Sequence, residues 1–164
     1  MNREQIIALS KKVADTINQR KECYLVPTEW VFKLMAASVD FIILSCRRQF
    51  GDKITKEVLA VIFVEVKKVR TILAQTDFML TDSTIDSFGY LDILHQFVDE
   101  GSEAEEKSTL NLIDVIDYKL MPTRNLILAA KQHKRIEMVK EMIAEIEEKT
   151  HELKCRDVID NLDK

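Results

Sequence analysis

Apolar and polar positions along this chain recur with the three-to-four-residue rhythm of amphipathic helices. Ile6, Ile7, Leu9, Val13 and Ile17 follow that spacing and predict a first helix over about residues 3–20, with a charged opposite face. Residues 21–28 read as a connection, and Pro27 with Thr28 marks the start of a second helix over about 29–48. Gly51-Asp52 ends that region. Thr55 can cap a third helix that carries Glu57 in its first turn and continues to about Gln75. A fourth helix is expected to start near Asp82 or Ser83 and run to about Asp99. The polar stretch 100–106 is the best internal boundary. Beyond it, residues 110–118 suggest a short helix, and Pro122-Thr123 marks a new start. A long helix over about 123–157 is expected from there, striped by Leu126, Ile127, Ile136, Val139, Met142 and Ile146. Such a stripe needs cover, on the body or on a second subunit.

Composition makes this an all-α protein. Only 3 Gly and 2 Pro punctuate 164 residues, which leaves few strand or turn signals in a chain rich in Leu, Ile, Val, Ala, Lys and Glu. The length suits one domain with a sizeable core. The most apolar run, 31–46, is interrupted by Lys33 and Asp40 and falls short of the about 20 apolar residues a membrane helix needs. The amino-terminal stretch reaches Lys11 and Lys12 after a short apolar patch and has no signal-peptide core. A soluble, cytoplasmic protein is therefore expected. A net charge of -4 argues against general nucleic-acid binding. Cys23, Cys46 and Cys155 are far apart and form no CxxC pair, so they read as reduced thiols, not as a zinc site or a disulfide framework.

Candidate chemistry centres on Asp82 and Asp86, one helical turn apart on a face shared with Gly89, Ile93 and Phe97. Both carboxylates are expected to point toward the protein. There they need partners: a divalent cation, Lys67 and Arg70 on the preceding helix, or a phosphate-bearing ligand that brings a metal. Acids near a helix start also cap free amides, which would explain Asp82 better than Asp86. On the third helix Val58, Ile62, Val69 and Leu73 form an apolar stripe with Glu65 in its middle, while Lys67 and Arg70 fall on other faces. Glu65 either turns inward to meet Asp82 and Asp86 around magnesium, or pairs with Lys68 or Arg70. Tyr90 reads as a core aromatic or as a platform for a base. His95, His133 and His151 sit on separate charged or mixed stretches, and no Ser-His-Asp set, HExxH, P-loop or GxGxxG is discernible.

Taken in order, Ile54-Thr55-x-Glu57, an apolar helix, Lys67-x-x-Arg70 and Asp82-Ser83-x-x-Asp86-x-x-Gly89-Tyr90 resemble the core of phage-type MazG-like proteins, in the all-α NTP pyrophosphohydrolase superfamily. Tyr24-x-x-Pro27 stands where those proteins carry an Asp-Tyr-Gly-x-Pro-like lead-in, and the order fits over about residues 24–94. The resemblance implies a helical bundle within one domain: a core of about four helices in residues 1–102 and a C-terminal helical extension over 103–164. It also implies a homodimer or homotetramer. It further implies a nucleotide ligand held with magnesium, with Glu65, Asp82 and Asp86 as metal ligands and Glu65 and Asp86 as catalytic acids. Lys67, Lys68, Arg70 and Tyr90 would then bind the substrate. Active relatives use the acids of an ExxE and an ExxD helix to hold metals that activate water, splitting NTP to NMP and pyrophosphate. This chain offers Glu65-x-x-Lys68 and Ser83-x-x-Asp86 in their place. Two functions are expected as alternatives: a magnesium-dependent (d)NTP pyrophosphohydrolase, in a host cytoplasm if phage-encoded, or a non-catalytic helical oligomer that sequesters nucleotides or binds a protein partner.

Overall fold

A computed structural model describes residues 3–100 and 120–162, which form six helices: α1 (Arg3–Lys21), α2 (Thr28–Phe50), α3 (Lys56–Ile72), α4 (Asp77–Glu100), α5 (Leu120–Ala129) and α6 (Gln132–Leu162). The all-α expectation holds. Among the described residues no strand occurs, and the one extended contact is an isolated antiparallel bridge between Tyr24 and Ala74. No described helix is long and apolar enough to cross a membrane. The polar boundary from residue 101 onward and the short helix expected over 110–118 lie outside the described residues.

Local chemistry accounts for most helix ends, and corrects two of them. Gly51 closes α2 in a left-handed conformation, φ 68°, with its N–H donating to the Arg47 carbonyl at 2.8 Å; glycine adopts that conformation without a steric cost. The Thr55 hydroxyl accepts the Val58 N–H at 3.4 Å and caps α3 as expected. α3 stops at Ile72, before the expected end at Gln75, because the backbone there turns to pair with the segment before α2. Leu25 N–H donates to Leu73 O at 2.8 Å and Gln75 N–H to Cys23 O at 2.7 Å. α4 begins at Asp77 and not near Asp82, since the Thr76 hydroxyl accepts the Met79 N–H at 3.2 Å and supplies the cap.

The expected long last helix is two helices, α5 and α6. The break falls at Ala130 and Lys131, where neither glycine nor proline announces it. Arg135, in the first turns of α6, turns back and donates to the carbonyls of Ile127, Leu128 and Ala130 at 3.0, 2.9 and 2.8 Å. The carbonyls of Leu128 and Ala130 would otherwise be left open at the end of α5, and that of Ile127 would keep only the Ala130 N–H, at 3.2 Å.

α3 is the central element, packed on α4 along one side and on α2 and α5 along others, while α6 lies along α2. Two apolar clusters result. One joins Leu25, Val31, Leu34, Leu73, Ile127 and Val139; the other joins Ile42, Cys46, Val61, Val64 and Leu94. Buried Ser83 and Ser87 present small side chains where α4 meets α3. Trp30 carries Lys33 Nζ of its own helix 4.3 Å from its ring centroid and Lys140 Nζ of α6 at 5.3 Å, the latter a cation–π contact between α2 and α6. α1 shares no packed interface with another described helix.

Candidate functional site

Because α3 is flanked on two sides, an inward-facing residue on it can face either of two places. The residues singled out in the sequence divide between them. Lys67, Arg70, Asp82, Asp86 and Tyr90 come together along the α3/α4 seam, whereas Glu65 and Lys68 face α2 and α6.

On the seam, basic residues of α3 meet acids of α4 in register. Lys67 Nζ is ion-paired and hydrogen-bonded to Asp86 Oδ2, and Arg70 Nη2 lies 3.8 Å from Asp82 Oδ2. Spacings of three residues on α3 and four on α4 make this ladder, one turn per rung. Asp82 and Asp86 remain 44% and 41% exposed, so they sit at the edge of the helix pair and are not turned into its interior as expected. Asp82 is also well inside α4, which removes the capping role. Arg70 donates to Met79 Sδ at 3.1 Å, and its buried Nε finds no hydrogen-bond partner among the described residues. One turn back along α3, Phe63 stacks on Tyr90 with centroids 4.9 Å apart and planes 15° from parallel. Gly89 adjoins Tyr90 in mid-helix, and a Cβ there would meet nothing within 4 Å. Packing does not require that glycine. It leaves backbone open to close approach from outside.

On the other side, Glu65 and Lys68 pair with each other, Lys68 Nζ 2.5 Å from Glu65 Oε2, and are only 7% and 13% exposed. The approach is close but off the hydrogen-bonding axis, so that oxygen keeps no well-aligned donor. Of the two partners open to Glu65 in the sequence, Lys68 is the one it takes. It does not meet Asp82 or Asp86, because they lie across α3 from it. The pair lines a cavity of about 450 Å³ between α2, α3, α5 and α6, with Leu34, Phe41, Ile42, Met142 and Lys149 among its walls.

Magnesium is commonly held by one or two carboxylates, with ligand phosphates and waters completing its octahedron. Asp82 and Asp86, adjacent and half-exposed, fit that role for one ion. A two-metal cluster needs more acids, and among the described residues no three of His, Cys, Asp and Glu gather as such a cluster requires.

Other residues were not evident from the sequence. Arg124 is buried and donates to the Ala74 carbonyl at 3.1 Å, fastening α5 to the corner between α3 and α4. Phe63 was indistinguishable from a core aromatic. The i, i+4 spacing of His151 and Cys155 could have revealed their 3.5 Å contact on the exposed side of α6. None of the three cysteines is in a disulfide, and burial pushes the Cys46 thiol up to about 11 from its ordinary 9.0.

No family model matches this chain, and no curated protein or solved structure compared with it is similar.

Proposed function

We propose that this chain is a MazG-like nucleotide-binding protein whose site is the α3/α4 seam, taking a (d)NTP together with magnesium. The observation that carries the reading is the ladder of Lys67–Asp86 and Arg70–Asp82 running up to the Phe63–Tyr90 stack, in which Phe63 is exposed and Tyr90 half-buried. A closed ladder is neutral, and a ligand of one charge alone would strand half of it. A magnesium–phosphate group carries both charges, so the aspartates can turn to the cation and the Lys and Arg to the phosphate oxygens. Asp82 and Asp86 would hold the metal, and the metal would neutralise phosphate charge. Lys67 contributes a point charge and Arg70 a planar fork. The edge of the aromatic pair beside Gly89 offers a face for the base.

Two carboxylates suit binding better than turnover, so slow or no hydrolysis is expected. A thermal-shift panel of nucleotides with and without magnesium tests this. A ligand at 100 times its Kd stabilises by about 2.7 kcal/mol, a shift expected only with magnesium present. Asp86→Asn and Lys67→Met should each abolish it with helicity unchanged. If no nucleotide at millimolar concentration shifts the wild type, the reading fails. Pyrophosphate release from any hit would restore the hydrolase alternative. A second reading, assembly as a non-catalytic helical oligomer, is favoured by the outward apolar side of α1.

A further inference from the structure

We infer that α1 of one copy docks on the outward face of α4 of a second copy, and that the exchange is reciprocal. This goes beyond the nucleotide site and does not rest on it. α1 is a helix of 19 residues whose described side chains are all exposed. Ile6, Leu9 and Val13 are 48%, 50% and 49% exposed, and they lie on one side of the helix at i, i+3 and i+7. A helix this polar on average, with one apolar stripe on which no other described helix packs, gains little from tertiary contacts with the rest of the described chain.

α4 presents the matching surface. Its inner side packs on α3 through Met79, Ser83, Ser87 and Leu94. On the opposite side Phe78, Ile85 and Phe88 are 78%, 64% and 64% exposed. Phe78 to Phe88 spans about 15 Å of helix, enough to receive the about 10 Å from Ile6 to Val13 on α1 at 1.5 Å per residue.

Charge selects the occupant. By sequence α1 carries five Lys and Arg against two acids, whereas α4 carries six acids and neither Lys nor Arg. α1 docked on another α1, or α4 on another α4, would set like charges beside each stripe; α1 on α4 sets Arg3 and Lys12, which flank the α1 stripe, near an acidic helix. Exchange about a twofold axis uses both surfaces of both copies and leaves neither stripe open.

The test is the mass of the full chain in solution at tens of micromolar. The expected mass is twice the 19.0 kDa of one chain. Val13→Glu on α1 and Ile85→Glu on α4, both at exposed positions, should each reduce it to one chain with helicity unchanged. Mixing the two variants restores one of the two contacts, so mixed dimers should reappear at least tenfold above either variant alone. A monomeric wild type would overturn the inference, including the case in which the α4 face is covered from within the chain. So would a dimer broken by only one of the two variants, since that places the contact between like helices. The inference survives loss of nucleotide binding in Asp86→Asn, which should leave the dimer intact.

Discussion

Lys68→Met leaves the Glu65 carboxylate, only 7% exposed, without a counter-charge on its own helix. Breaking a buried pair from one side is costly, so urea unfolding of that variant should show a loss of about 3 kcal/mol. The double variant Glu65→Leu/Lys68→Met removes both charges beside an apolar cavity and should return to within about 1 kcal/mol of wild type. Additive losses in the cycle would mean that the two groups do not act as a pair. Lys67 and Asp86 differ, because the half-exposed carboxylate keeps its water. Cutting that pair should cost at most about 1 kcal/mol, which keeps its ligand-binding readout separate from folding. Cys46 offers a pH-dependent check. Below about pH 9 both folded and unfolded states carry the thiol proton, and the residue leaves stability independent of pH. Between 9.0 and about 11 the unfolded chain releases the proton and the folded chain retains it, so stability falls as pH rises. Replacing Cys46 with Ala should remove that slope. At pH 8, a thiol reagent should label exposed Cys155 rapidly and Cys46 only on unfolding.

At the scale of elements, the break between α5 and α6 depends on one side chain. Arg135→Met removes three hydrogen bonds, two of them shared by Nε, from the end of α5 and should cost about 1–2 kcal/mol. Hydrogen exchange should quicken at the α5 amides and stay unchanged in α6 beyond its first turns. Retained protection in α5 would mean that packing on α3, and not the arginine, ends the helix there. The same junction shows what the amino-acid pattern could and could not convey. Helix number and type in the first four elements were legible because periodicity and caps are local, as with Thr55 and Gly51. Thr76-Asp77 is an equally local cap signal, with the threonine hydroxyl placed to accept the Met79 N–H. Arg135 could not be read that way, because the carbonyls it serves are exposed only once the chain has already turned. Glu65 was left with alternatives for a different reason. Periodicity shows that a residue faces inward, but α3 has neighbours on two sides, and only tertiary packing decides which of them Glu65 meets. That Lys67 and Arg70 could partner Asp82 and Asp86 was legible from one-turn spacings on consecutive helices; which base meets which acid is set by the register of the packed pair.

For the molecule as a whole, the question is whether the two apolar clusters unfold together. They share α3, with Val69 and Ile72 in one and Val58, Val61 and Val64 in the other, so losing either cluster frees one side of the same helix. That arrangement favours a single cooperative transition. The chain reports on this directly, since its one tryptophan, Trp30, packs against the first cluster only. Leu94 is fully buried in the second. Leu94→Ala should cost about 3 kcal/mol from lost burial and the cavity left behind, or roughly 10 °C in Tm for a chain of this size. The informative measurement is where that shift appears. If α3 couples the clusters, Trp30 fluorescence and far-ultraviolet circular dichroism fall by the same amount and keep coincident midpoints. If the clusters are independent, the fluorescence midpoint stays at its wild-type temperature while part of the helical signal melts early. Helices α3 and α4 would then form a separable unit, and nucleotide binding at their seam would stabilise only that early transition.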